Sequence, residues 1–97
     1  MIRHVVVFTW KPGMTAEQVG EIATELRSLV TTIPTIRAYT CGPDLGITQG
    51  NADFAVAADF DDEAGFVSYR DDPRHRDIIQ RLINPFVAQR FALQFEF

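Results

Sequence analysis

The chain has 97 residues, enough for a single domain (residues 1–97) at roughly 100–200 residues per domain. Hydrophobic residues are 46% and charged residues 23%, which excludes a disordered tail, a collagen-like repeat and a low-complexity linker. The formal charge of −4 and a pI of about 4.9 make a phosphate backbone a poor partner, so no nucleic acid is expected. The single cysteine, Cys41, cannot form an internal disulfide, and small domains of oxidising compartments usually carry several. The apolar run Val5 to Phe8 is too short for a signal-peptide core or a membrane span. The cytoplasm is the expected location, and no membrane association is expected.

Residues 2–10 read as a strand. Ile2, His4, Val6, Phe8 and Trp10 alternate with Arg3, Val5, Val7 and Thr9, and the valines make both faces apolar, as in a central strand. Lys11-Pro12-Gly13 breaks it. Thr15 followed by Gln18 is a capping box, and Val19, Ile22, Ala23, Leu26, Leu29, Val30 and Ile33 form the apolar stripe of a long helix that Pro34 stops. A second strand is expected from Ile36 to about Leu45. A third carries Phe54, Val56, Ala58 and Phe60 in alternation with acidic and small residues.

Acidic residues at 61–63 suit the start of a second helix, which carries Phe66 and Tyr69. Asp72 and Pro73 begin a further helix with Ile78, Ile79, Leu82 and Ile83 on its apolar side, perturbed by Asn84-Pro85. Phe91, Leu93, Phe95 and Phe97 alternate with Ala92, Gln94 and Glu96 in a last strand.

Strand, helix, strand, strand, helix, strand is the βαββαβ order of an α+β, ferredoxin-like fold: an antiparallel sheet with its helices on one face. The other face would show Val5, Val7, Ala55, Ala57 and Ala92 to water. An apolar patch of that kind usually marks an interface, here two sheets face to face in a homodimer.

Four pieces of the sequence resemble the stress-responsive dimeric α/β-barrel (Dabb) family. They are the opening Ile-Arg-His-Val-Val-Val-Phe, the Ile33-Pro34-Thr35-Ile36-Arg37 junction, Ala-Asp-Phe-Asp-Asp at 58–62, and Tyr69 through His75 ending in Asp-Pro-Arg-His. The resemblance implies a ferredoxin-like subunit that pairs into a dimeric α/β barrel. One plant branch of the family looks like polyketide cyclases, which close a ring by aldol condensation without cofactor. The branch's two working histidines match His4 and His75, and its tyrosine ahead of the Pro-x-His motif matches Tyr69. The sequence departs from that branch at Leu26, Asn51-Ala52, Phe54 and Asp72, where the cyclases or their relatives carry other residues.

On this resemblance His75 is the candidate general base, and Tyr69 or His4 the group that polarises a carbonyl oxygen. Val6, Phe8, Ile22, Ala23, Leu26, Val56 and Ile78 are the candidate lining of a pocket for a small apolar or carbonyl-containing ligand. Each assignment has a structural alternative: His4 as a hydrogen-bonded core residue, His75 as part of a solvated helix start, Tyr69 as packing under the second helix. The basic cluster Arg70, Arg74 and Arg76 would hold an anionic group or pair with Asp71, Asp72 and Asp77. Two histidines without a third ligand make a poor metal site, and no phosphate-loop or dinucleotide motif is present, so neither metal nor cofactor is expected. The sequence thus carries two readings: a cofactor-independent lyase or cyclase, and a non-catalytic small-ligand-binding or stress-associated dimer.

Overall fold

The computed structural model describes residues 1–97. β1 (Ile2–Trp10) is followed by α1 (Ala16–Ser28), β2 (Ala38–Pro43), β3 (Phe54–Phe60), α2 (Glu63–Asp71), α3 (Pro73–Ile78) and β4 (Val87–Glu96). The sheet order is β2-β3-β1-β4, every pairing is antiparallel, and β1 lies inside the sheet as its two apolar faces require. In β1 the residues at 4, 6 and 8 are buried under the helices, joined there by Phe54, Val56, Ala58 and Phe60 of β3. Ile22, Ala23 and Leu26 of α1 close over them.

α1 begins as the capping box requires. Thr15 Oγ1 accepts from the Gln18 amide at 3.1 Å, and Gln18 Oε1 accepts from the Thr15 amide at 2.9 Å. Its end differs from the expectation of a helix running to Pro34. The α-helix stops at Ser28, and Leu29–Thr31 form a 3-10 turn. Hydroxyls cause this: Ser28, Thr31 and Thr32 donate back to the carbonyls of Glu25, Ser28 and Leu29 and compete with the helical ladder. Leu29 and Ile33 remain buried, but Val30 turns outward.

Two boundaries also shift. β2 starts at Ala38 rather than Ile36, because the chain turns after Ile33, with the Ile36 amide donating to the Ile33 carbonyl (3.3 Å); the Thr35 hydroxyl is also tied to the Gly65 carbonyl of α2 (2.9 Å). β4 starts at Val87, four residues ahead of Phe91. Asp62 and Asp72 cap α2 and α3 by accepting from the Gly65 and Arg74 amides, each at 2.8 Å. A π turn at Ile79–Ile83, with the Asn84 amide donating to the Ile79 carbonyl, carries the chain from α3 toward β4.

The register corrects one residue of the outer face. Val6 stands opposite Ala92, so Ala92 lies on the helix side of the sheet. Opposite Val5 and Val7 stand Leu93 and Phe91. The outer face is therefore Val5, Val7, Ala55, Ala57, Phe91, Leu93 and Phe95, and it is more apolar than expected: Phe91 is 65% and Leu93 57% exposed. At one end Arg3 forks onto Asp59 (2.7 and 3.0 Å) and lies over the Phe97 ring.

Candidate functional site

A cavity of about 600 Å³ opens between the sheet and the helical segment of α2, α3 and the π turn. Its floor is His4 and Val6 of β1, Val56 of β3, and Arg90, Ala92 and Gln94 of β4. Its wall is Phe66, Tyr69, Arg70 and Asp71 of α2, His75 and Arg76 of α3, and Ile79, Gln80 and Ile83 of the π turn, with Asn84 beyond it and Leu26 of α1.

Both histidines reach this space. His4 is buried, and with the Gln94 amide nitrogen as donor its Nδ1 accepts at 2.9 Å, which leaves the ring proton on Nε2. His75 has the opposite arrangement. The Arg70 carbonyl can only accept, so His75 Nδ1 donates to it (3.1 Å) and Nε2 keeps a free lone pair. Neither Nε2 has a protein partner, neither is sealed from solvent, and both residues line the cavity. One imidazole thus offers a donor and the other an acceptor.

Burial holds both rings neutral. His4 is pushed down to about 4, mainly by desolvation, with the Arg90 guanidinium and His75 adding to it. His75 also lies below the usual histidine value, again chiefly through desolvation. The Arg70 carbonyl and Asp72 oppose the shift, while Arg90 and Arg76 reinforce it.

Tyr69 neighbours both histidines. Its ring centroid is 4.1 Å from that of His75 and 6.2 Å from that of His4. Its hydroxyl is 3.2 Å from that of Tyr39, and burial pushes it up to about 12. Tyr69 is therefore packed under α2, as its structural alternative stated, and it also forms cavity wall.

The expected lining divides in two. Val6, Leu26 and Val56 line the cavity. Phe8, Ile22, Ala23 and Ile78 do not: they are buried in the continuous core, Phe8 against Trp10 and Phe54. In β1 the cavity side stops at Val6, because Trp10 stacks on Phe8 and fills the space beyond. Within the basic cluster, Arg70 pairs with Asp71 and Arg74 with Asp72, while Asp77 pairs with Arg81 and leaves Arg76 unpaired.

Arg90 and Gln94 were not among the residues singled out in the sequence. The signal for them was the polar half of the last strand. The regular phenylalanines hid it by suggesting that their own face points inward. Cys41 is raised by burial and its Sγ lies 3.8 Å from the Ala23 carbonyl, a packing role. No group of three His, Cys, Asp or Glu side chains is arranged to hold a metal ion, and no helix is long and apolar enough to cross a membrane.

A four-stranded antiparallel sheet with its helices on one face, and a cavity between the layers, is a ferredoxin-like α+β domain. The chain belongs to the stress responsive A/B barrel domain (Dabb) family, whose model matches residues 2–97. It is similar to a dimeric ferredoxin-like protein of unknown function from Thermobifida fusca, with 44% identity and a TM-score of 0.91 over 99% of this chain and 90% of that one. A Dabb family protein with a ferredoxin-like fold from Mesorhizobium loti shares the fold at 20% identity and a TM-score of 0.81, covering 99% of this chain and 95% of that one. So does the hydroxynitrile lyase from Passiflora edulis, at 19% identity and a TM-score of 0.83 over 97% and 90%. No curated protein matches the chain.

Proposed function

We propose that the protein is a cofactor-independent lyase or cyclase that acts on a small carbonyl compound of the polyketide type. The observation that carries this reading is the pair of neutral imidazoles opening onto one cavity with opposite hydrogen-bonding character. His75 Nε2 takes a proton from the carbon beside a carbonyl, while His4 Nε2–H donates to the carbonyl oxygen as negative charge develops there. The enolate then adds to a second carbonyl of the same molecule, forming a carbon–carbon bond, and the proton held on His75 passes to the new alkoxide. Tyr69 packs against the His75 ring in a tilted contact, and the Arg70 carbonyl fixes its tautomer. Val6, Leu26, Val56, Ile79 and Ile83 supply an apolar surround that strengthens both hydrogen bonds.

The protein works as a homodimer in this reading, with the outer faces of two sheets in contact. Support comes from the exposed Phe91, Leu93 and Phe95 beside Val5 and Val7, and from the Thermobifida fusca relative described as dimeric. A cytoplasmic setting belongs to the same reading and rests on the free thiol of Cys41.

The test is deuterium wash-in beside the ketone of methyl 6-oxoheptanoate in D2O, followed by NMR. Wild type should exchange faster than buffer. His75→Ala should fall to the buffer rate, and His4→Ala should lose on the order of 10²-fold or more. Binding without exchange, for this ketone and for cyclohexanone, would leave the non-catalytic small-ligand dimer in its place.

A further inference from the structure

Arginine accounting singles out two side chains. The chain has eight arginines. Arg3, Arg37, Arg70, Arg74 and Arg81 are each paired with an aspartate, and Arg27 donates to the Cys41 carbonyl at 2.9 Å. The side chains of Arg76 and Arg90 make neither an ion pair nor a hydrogen bond, in a protein with more acidic than basic residues. Both line the cavity that holds the histidines.

The Arg70–Asp71 pair on the same wall is internally neutral, so the cavity carries two uncompensated positive charges in a chain whose formal charge is −4. Such a segregated charge concentrates anions at the cavity mouth. Arg90 also acts on the chemistry inside, since its guanidinium lowers both His4 and His75. We propose that Arg76 and Arg90 form a carboxylate-binding subsite, so that the substrate is a keto acid whose carboxylate lies at the cavity mouth and whose ketone lies between the imidazoles. The substrate class rests on the proton-transfer reading above; the anion subsite itself does not.

The two guanidiniums come from different elements, α3 and β4, and each presents a planar fork that pairs with two oxygens of either a carboxylate or a phosphate. Two features favour a carboxylate. The backbone amides that phosphates commonly recruit at a helix start are engaged here: Asp72 already accepts from the Arg74 amide. The rest of the cavity suits a carbon chain. Arg90, Ala92 and Gln94 alternate along one face of β4, which puts Arg90 and Gln94 about 13 Å apart along the strand. The small Ala92, opposite Val6, leaves room between them. Several methylene groups therefore fit between carboxylate and ketone.

The probe pair is 6-oxoheptanoate and its methyl ester, titrated into the protein with the His4 and His75 ring signals followed by NMR. At low salt the acid should bind about tenfold or more tightly than the ester, and added NaCl should weaken the acid alone. Arg76→Gln and Arg90→Gln should each cost the acid about tenfold and leave the ester unchanged, whereas Arg81→Gln should change neither. All three side chains are exposed, so the variants should melt like wild type. Equal binding of acid and ester would overturn the subsite. So would a preference for the acid that survives in both variants, or inorganic phosphate displacing the acid at equal or lower concentration. An acid preference without deuterium exchange would defeat the proposed chemistry and keep the subsite. Exchange on the ester without an acid preference would do the reverse.

Discussion

His4 lines the cavity and makes the stability of the fold depend on pH. Its folded-state value of about 4 lies below the ordinary 6.5, so the unfolded chain binds the proton more readily. Its contribution to stability is complete above about 6.5 and is lost as pH falls toward 4, by a few kcal/mol in all. His75 acts in the same direction. Urea unfolding at pH 7 and pH 5 should show this loss, and His4→Gln should shrink it; an unchanged pH difference in that variant would clear His4 of the effect. The histidines and Tyr69 were singled out through the family resemblance, and all three line the cavity. Arg90 and Gln94 were not singled out, because both faces of β1 are apolar and only the register with β4 tells which half of the last strand faces the helices. The same ambiguity misplaced Ala92, and Phe8, Ile22, Ala23 and Ile78 were read as lining because an apolar residue on the right face can equally be core.

Elements were the most readable level. β1 spans the residues its alternation marks, and the capping box at Thr15 and the Asp72-Pro73 start of α3 have the hydrogen bonds their spacing implies. Ends were less readable. Apolar periodicity continues past Ser28, but it does not register that Ser28, Thr31 and Thr32 donate to carbonyls and tighten the turn. The π turn had no signal beyond the Asn84-Pro85 stop. Thr15→Ala removes the side-chain half of the α1 cap and should cost about 1 kcal/mol, or about 4–8 °C in Tm. Of α1's residues only Leu26 reaches the cavity, so ligand shifts at His4 and His75 should persist in that variant. Their loss would mean that α1 positions the site more tightly than its contacts indicate.

At the scale of the molecule, the four-stranded antiparallel architecture follows from the order and patterning of the elements, while the content of its outer face depends on register. Val7→Glu places a charge in the middle of that face, opposite Phe91 and Ala55. In a homodimer it should shift the light-scattering mass at micromolar concentration from two chains to one and lower Tm together, through an unpaired charge at a dry contact. A wild-type mass and Tm in Val7→Glu would remove the face from the interface. The cavity and the outer face are built from the same nine residues of β1, taken alternately: His4 and Val6 look one way, Val5 and Val7 the other. Inserting or deleting one residue there would turn every later side chain of the strand over, carrying a valine into the site and a histidine or phenylalanine to the outside. Point substitutions can change one side of the sheet while sparing the other, but a change in length cannot. Natural variants of this chain should therefore accumulate length differences in the connection between β2 and β3 and almost none between Ile2 and Trp10.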